Sequence, residues 1–135
     1  MKKITILLVL ISTIAIGQTK DDAYQKLLEE SPFNSMYPKF MAEDAAEYFK
    51  EFNMLFSDKS PIATKEARLA AISASAAIRC EYCISAQVHL AKQAGASEEE
   101  IKTAIQIAAE IQRFSILLYG NEFGQEKLNK ILGVE

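Results

Sequence analysis

The chain has 135 residues with 15 basic and 18 acidic side chains, one histidine, two cysteines and no tryptophan, for a formal charge of −3 at neutral pH. A mildly acidic chain without a basic run has no electrostatic footprint for nucleic acid, so no nucleic-acid partner is expected. Its length suits a single domain whose core can form without a covalent staple.

The first seventeen residues, MKKITILLVLISTIAIG, place Lys2 and Lys3 before an uncharged run from Ile4 to Ile16. That is the pattern of a signal peptide, and the small residues Ala15 and Gly17 ahead of polar QTKDD set cleavage before Gln18. An uncleaved anchor is the alternative, disfavoured because the run is shorter than the ~20 residues that a span needs. The expectation is an exported protein, periplasmic or secreted, with a signal at 1–17 and one domain at 18–135. An oxidising compartment would either close a spare cysteine pair or let it cycle as a redox couple.

From residue 18 onward strand alternation is almost absent, and apolar residues recur at three- and four-residue steps. This predicts an all-α fold, a bundle of about six helices. A short first helix is expected at Ala23 to Leu28. Pro32, Asn34, Ser35 and Pro38 then mark a turn-rich connection. From Pro38 to Phe56, residues Met41, Ala45, Phe49, Phe52 and Phe56 form one apolar stripe that core packing explains without a cofactor. A third helix from Thr64 to Arg79 carries the small-residue run SASAA, suited to close helix contact and to the most buried place in the fold.

A fourth helix continues to Gln93, where Ala94-Gly95 supplies a stop and Ser97-Glu98-Glu99-Glu100 a capping box for the fifth. The fifth presents Ile101, Ala104, Ile105, Ala108, Ile111 and Ser115, broadens into Ile116, Leu117 and Leu118, and is stopped at Gly120. A last short helix spans Gln125 to Leu132.

The chemistry concentrates in CEYCISAQVH, residues 80 to 89, which holds both cysteines and the only histidine. At about 100° per residue, Cys80 and Cys83 share a helix face with Gln87, one turn further on. His89 stands about 240° round from Cys83 and about 180° from Cys80, so it falls off that face. A tetrahedral metal site needs more ligands than these three residues supply, and the spacing matches no zinc module, so no metal is expected.

An inert bridge three residues apart would close a small loop and stabilise little by loop entropy. Cys-x-x-Cys opening a helix has a reason to react, because unpaired N–H groups and the helix dipole favour a thiolate that the second thiol can resolve. Redox pair and inert bridge both stay open on spacing alone. His89 is most simply a surface helix residue.

Cys80-Glu81-Tyr82-Cys83-Ile84, followed by Ala91-Lys92-Gln93-Ala94-Gly95-Ala96-Ser97 and Glu100-Ile101, resembles the carboxymuconolactone decarboxylase and alkyl hydroperoxidase D-like family. The preceding Ala63 to Ile72 fits the same pattern, so the resemblance covers at least Pro61 to Gly120. It implies a helical fold that assembles as homo-oligomers, trimers or larger, with the cysteines opening a helix near subunit contacts. Redox-active relatives reduce hydroperoxides, which would make Cys83 the attacking thiol and Cys80 the resolving one. A dithiol, lipoyl or thioredoxin-like reductant then reopens the disulfide, and no cofactor is bound. Relatives that decarboxylate lactones lack the cysteine pair.

Two departures matter. Redox-active relatives place a histidine four residues after the second cysteine, where this chain has Gln87. They place a glutamate twelve residues before the first, where it has Arg68, with Glu66 two residues too early. An amide can orient a water but is no base near neutral pH. His89 could serve only from a kinked helix or a neighbouring subunit. Arg68, as a cation near Cys83, would favour the thiolate directly. Losing a general base typically costs ~10² to 10⁴ in rate. The expectation is therefore a weak or specialised hydroperoxide or disulfide reductase, with the alternative of a non-catalytic binding or assembly module held by a structural Cys80–Cys83 disulfide.

Overall fold

The computed structural model describes residues 21–134, and every regular element among them is helical, with no strand. The expected signal peptide lies outside the described residues. Helix α1 covers 21–30. Two 3₁₀ turns, Pro32–Met36 and Lys39–Met41, lead into α2 (Ala42–Met54), α3 (Thr64–Ala77), α4 (Glu81–Gln93), α5 (Glu98–Gly120) and α6 (Gln125–Leu132). Backbone packing groups the chain into two compact units that meet in sequence between Asn53 and Met54.

In the first unit, Pro32 opens the 3₁₀ turn, where its missing N–H costs no hydrogen bond. Buried Asn34 donates from Nδ2 to the Leu27 carbonyl at 2.7 Å and so ties the turn back to α1. Phe49 is the hub of the apolar stripe: its ring meets those of Phe33, Tyr37 and Tyr48 at centroid distances of 5.9, 6.0 and 5.3 Å. Packing accounts for these aromatics, which are tilted or edge-on as ring quadrupoles prefer.

Helix α2 stops at Met54, before the expected Phe56. Ser57 Oγ donates to the Met54 carbonyl at 2.9 Å, satisfying one of the acceptors that a helix end leaves over. Phe56 is thereby released from the stripe into the second unit.

The core of that unit is Ile72, Ala91, Ala96, Ile101 and Ala104, with Leu69 and Val88 packed against it. Helix α3 lies against both α4 and α5, which touch each other only slightly. Its small residues permit the close approach predicted from SASAA: Ser73 Oγ donates across the interface to the Ala104 carbonyl at 2.7 Å. Gln112 on α5 donates to the Ala77 carbonyl and fixes the far end of α3.

Helix α3 ends two residues before the expected Arg79 because the chain reverses there. The Cys80 N–H bonds to the Ser75 carbonyl at 3.0 Å and the Arg79 N–H to the Ala76 carbonyl at 3.1 Å, with Arg79 at φ +58°. This is a Schellman stop with a non-glycine in the left-handed position. Helix α5 ends the same way, Phe123 bonding to Leu118 and Glu122 to Tyr119, with Glu122 at φ +47°. Gly120 is its last helical residue, but Glu122 makes the turn. Helix α4 uses Gly95 at φ +86°, as Ala94-Gly95 predicts.

The predicted capping box is present. Ser97 Oγ accepts from the Glu100 N–H at 3.2 Å, and Glu100 Oε2 accepts from the Ser97 N–H at 2.8 Å. Glu100 Oε1 also accepts from Lys65 Nζ at 2.8 Å, joining α5 to α3. These bonds, that to Lys65 foremost, lower the Glu100 carboxyl from the ordinary 4.5 to about 2.

Beyond Ala108, α5 carries apolar residues that stand exposed: Ile111 is 67 % and Phe114 60 % exposed, and Ile116 and Leu117 are exposed too. With Leu118, Phe123 and Leu128, Ile111 and Phe114 line a groove of about 630 Å³ between α5 and α6. No helix among the described residues is long and apolar enough to cross a membrane.

Candidate functional site

The reversal at Arg79 delivers Cys80 to the N-cap of α4, in an extended conformation with φ −85° and ψ 96°. Its Sγ accepts from the Cys83 N–H at 3.2 Å, taking the place that a serine or aspartate oxygen holds at most helix starts. Cys80 and Cys83 are joined in a disulfide across this first turn, with their Cα atoms 5.2 Å apart. Both are half-buried, whereas Tyr82 between them is 91 % exposed. The pair therefore sits at the positive end of α4, where free N–H groups favour a negative sulfur.

One turn further along, Gln87 is half-buried and its Oε1 accepts from Arg68 Nη1 of α3 at 3.0 Å. The Arg68 guanidinium lies over the Phe56 ring, 3.6 Å from its centroid, a cation–π contact. Partial burial lowers its pKa, yet a guanidinium stays charged across the physiological range. None of the ion pairs among the described residues includes Arg68.

The structure thus brings together the two positions at which the sequence departs from the resembled relay. The residue standing for the histidine and the residue standing for the glutamate are hydrogen-bonded to each other.

His89 is exposed, its Nε2 is 3.1 Å from Gln93 Nε2, and it takes no part in this arrangement. Glu66 is also exposed, and its charge acts on Lys65 rather than on Arg68. Sequence reasoning missed Phe56, which periodicity assigned to the α2 stripe. The run Ser57-Asp58-Lys59-Ser60, rich in turn formers, was the signal that the helix had already ended. Among the described residues no three His, Cys, Asp or Glu side chains converge as a metal-binding group.

Neither the curated proteins nor the solved structures searched contain a match to the chain. The family model described as carboxymuconolactone decarboxylase matches residues 43–123, more than half of the sequence. The matched segment holds α3, α4, α5 and both cysteines, extending the stretch in which the motif was recognised at both ends. On this match the chain belongs to the carboxymuconolactone decarboxylase family.

Proposed function

We propose that the protein is a thiol-dependent oxidoreductase in which Cys83 attacks a hydroperoxide or disulfide and Cys80 resolves the product. The observation that carries this reading is the Cys80–Cys83 disulfide at the start of α4. A bridge there closes too small a loop to stabilise the fold much, but it lies where a thiolate is favoured. In the peroxide reaction the Cys83 thiolate attacks the terminal oxygen, breaking the O–O bond. This leaves a sulfenic acid on Cys83 and an alkoxide that takes up a proton. The Cys80 thiolate then attacks the Cys83 sulfur, forming the disulfide and releasing hydroxide, which becomes water. A dithiol or thioredoxin-like reductant supplies two electrons and two protons to reopen the bridge. No cofactor enters this cycle.

Hydroperoxide loss followed with a dithiol reductant tests the proposal. Wild-type protein is expected to turn over, Cys83→Ser to be inactive, and Cys80→Ser to stall after one equivalent. Equal slow consumption by all three would remove the catalytic reading.

A second reading, a non-catalytic binding or assembly module with an inert bridge, is favoured by the Arg68–Gln87 bond, because neither residue can accept a proton near neutral pH. A reduction potential below about −300 mV would select it, and a higher one the cycling pair. Export and homo-oligomeric assembly belong to the same proposal. The exposed apolar half of α5 supports assembly, since a patch of this kind marks an interaction surface.

A further inference from the structure

Arg68 is a half-buried cation with no carboxylate partner among the described residues. It is held from two sides, by the turn after α2 and by α4. Phe56, from the turn after α2, stacks under the guanidinium at 3.6 Å, and Gln87, from α4, holds one of its N–H groups at 3.0 Å. Two of its planes of freedom are thereby removed, and its remaining donors stay available. A buried or half-buried charge is ordinarily paired, so such a fixed cation calls for an anion.

A group able to become one is Cys83. It lies one turn before Gln87 on the same face of α4, a spacing that puts neighbouring β-carbons about 5 to 6 Å apart. Helical side chains lean toward the N-terminus, so Gln87 leans over the turn that contains Cys83, and Gln87 is the residue that holds Arg68. In the disulfide Cys83 carries no charge, and the cation has no carboxylate in an ion pair among the described residues. Opening the bridge creates an anion.

We propose that Arg68, aimed by Gln87 and Phe56, is a positioning residue that supplies the counter-charge for the Cys83 thiolate of the reduced protein, replacing a proton relay with a permanent charge. The proposal rests on Cys83 being the thiol that opens and closes. The guanidinium neither gives nor takes a proton: when a dithiol delivers two electrons to the bridge and is itself oxidised to a disulfide, Cys80 takes up a proton and the guanidinium stabilises the thiolate left on Cys83. Reactivity then follows thiolate population alone, without a second ionisation from a histidine or carboxylate. Favouring the reduced form in this way also makes the disulfide a stronger oxidant.

Other charges around the site do not mimic this. Arg79 and Glu81, on either side of Cys80, are exposed. On α3, Lys65 is committed to Glu100, and Glu66 is exposed. On α5, Glu110 and Arg113 pair with each other at 3.6 Å on the surface. His89 on α4 points to solvent.

The experiment measures the thiolate pKa of Cys83 in a Cys80→Ser background, from thiolate absorbance or alkylation rate against pH, with no substrate present. Adding Arg68→Gln is expected to raise that pKa by about one unit or more, the effect of removing an opposite charge at short range, and to slow alkylation below both values about tenfold. Arg68→Lys is expected to restore most of the loss. Gln87→Leu, which leaves α3 intact, is expected to raise the pKa by a smaller amount, and it stands in if Arg68→Gln does not fold. An unchanged pKa in Arg68→Gln, or in Gln87→Leu where it stands in, overturns the proposal. Because no turnover is needed, a protein that consumes no hydroperoxide yet shows the Arg68 shift supports this inference while removing the catalytic reading.

Discussion

At the scale of single residues, the site is a set of exchanges. A sulfur caps α4 where an oxygen usually does, and an arginine–amide pair stands where the resemblance puts a glutamate and a histidine. If that exchange is what slows peroxide chemistry, reinstating the relay should speed it. The double variant Arg68→Glu with Gln87→His is expected to gain at least about tenfold in hydroperoxide turnover, within the ~10² to 10⁴ that general base catalysis contributes. A new pH limb near the histidine pKa should accompany the gain, and steady-state assays from pH 5 to 9 would show both. Cys80, Cys83 and Gln87 were legible in the sequence because a helical wheel fixes their common face. Arg68 was legible as an oddity only. Its direction depended on Phe56, and the turn that brings Phe56 over the guanidinium leaves no periodic trace.

At the scale of elements, the ends of the helices decide more than their middles. The Ser97 capping box and the Gly95 stop follow recognised chemistry and were readable in advance. The reversals at Arg79 and Glu122 were not, since a non-glycine in the left-handed region costs roughly 1 kcal/mol or more and is not what a stop signal looks like. Glu122→Gly should therefore stabilise the protein, by up to about 1 kcal/mol after the added freedom of the unfolded chain is counted, as chemical denaturation would measure.

The sulfur cap makes a related prediction: Cys80→Ala should be less stable than Cys80→Ser by about 1 kcal/mol, since both lose the disulfide and only serine keeps an acceptor for the Cys83 N–H. The tie between α3 and α5 is sensitive to acid. Glu100 ionises at about 2 when folded and at the ordinary 4.5 when not, so its contribution is complete above 4.5 and fades as pH falls toward 2. Thermal melts over that range should drop more steeply for wild type than for Glu100→Gln. Lys65, raised chiefly by the same hydrogen bond, contributes fully below its ordinary 10.5 and loses its contribution only as pH rises above it.

For the whole molecule, the all-helical architecture followed from three- and four-residue periodicity. The core followed less well. Of the predicted α5 stripe, Ile101, Ala104 and Ala108 are buried, whereas Ile105 and Ile111 are exposed, because α5 packs chiefly against α3, which is shorter than it is, among the described elements. Periodicity reports which face is apolar, not what covers it. Where the core does close it depends on few large side chains. Ile72, fully buried among alanines, should cost about 2 to 5 kcal/mol when replaced by alanine and about 0.5 to 1.5 when replaced by valine, by denaturant unfolding. A homo-oligomer using the open face should dissociate on Phe114→Asp, and sedimentation velocity of the two proteins would register the change.

Tyr82 projects into solvent between two bonded sulfurs, in a protein with five tyrosines and no tryptophan. Disulfides quench the emission of a neighbouring phenol, and no indole is present to mask the signal. The oxidation state of the pair can therefore be followed as a change in intrinsic tyrosine fluorescence, without a label, and with Tyr82→Leu as the control in which the change is lost.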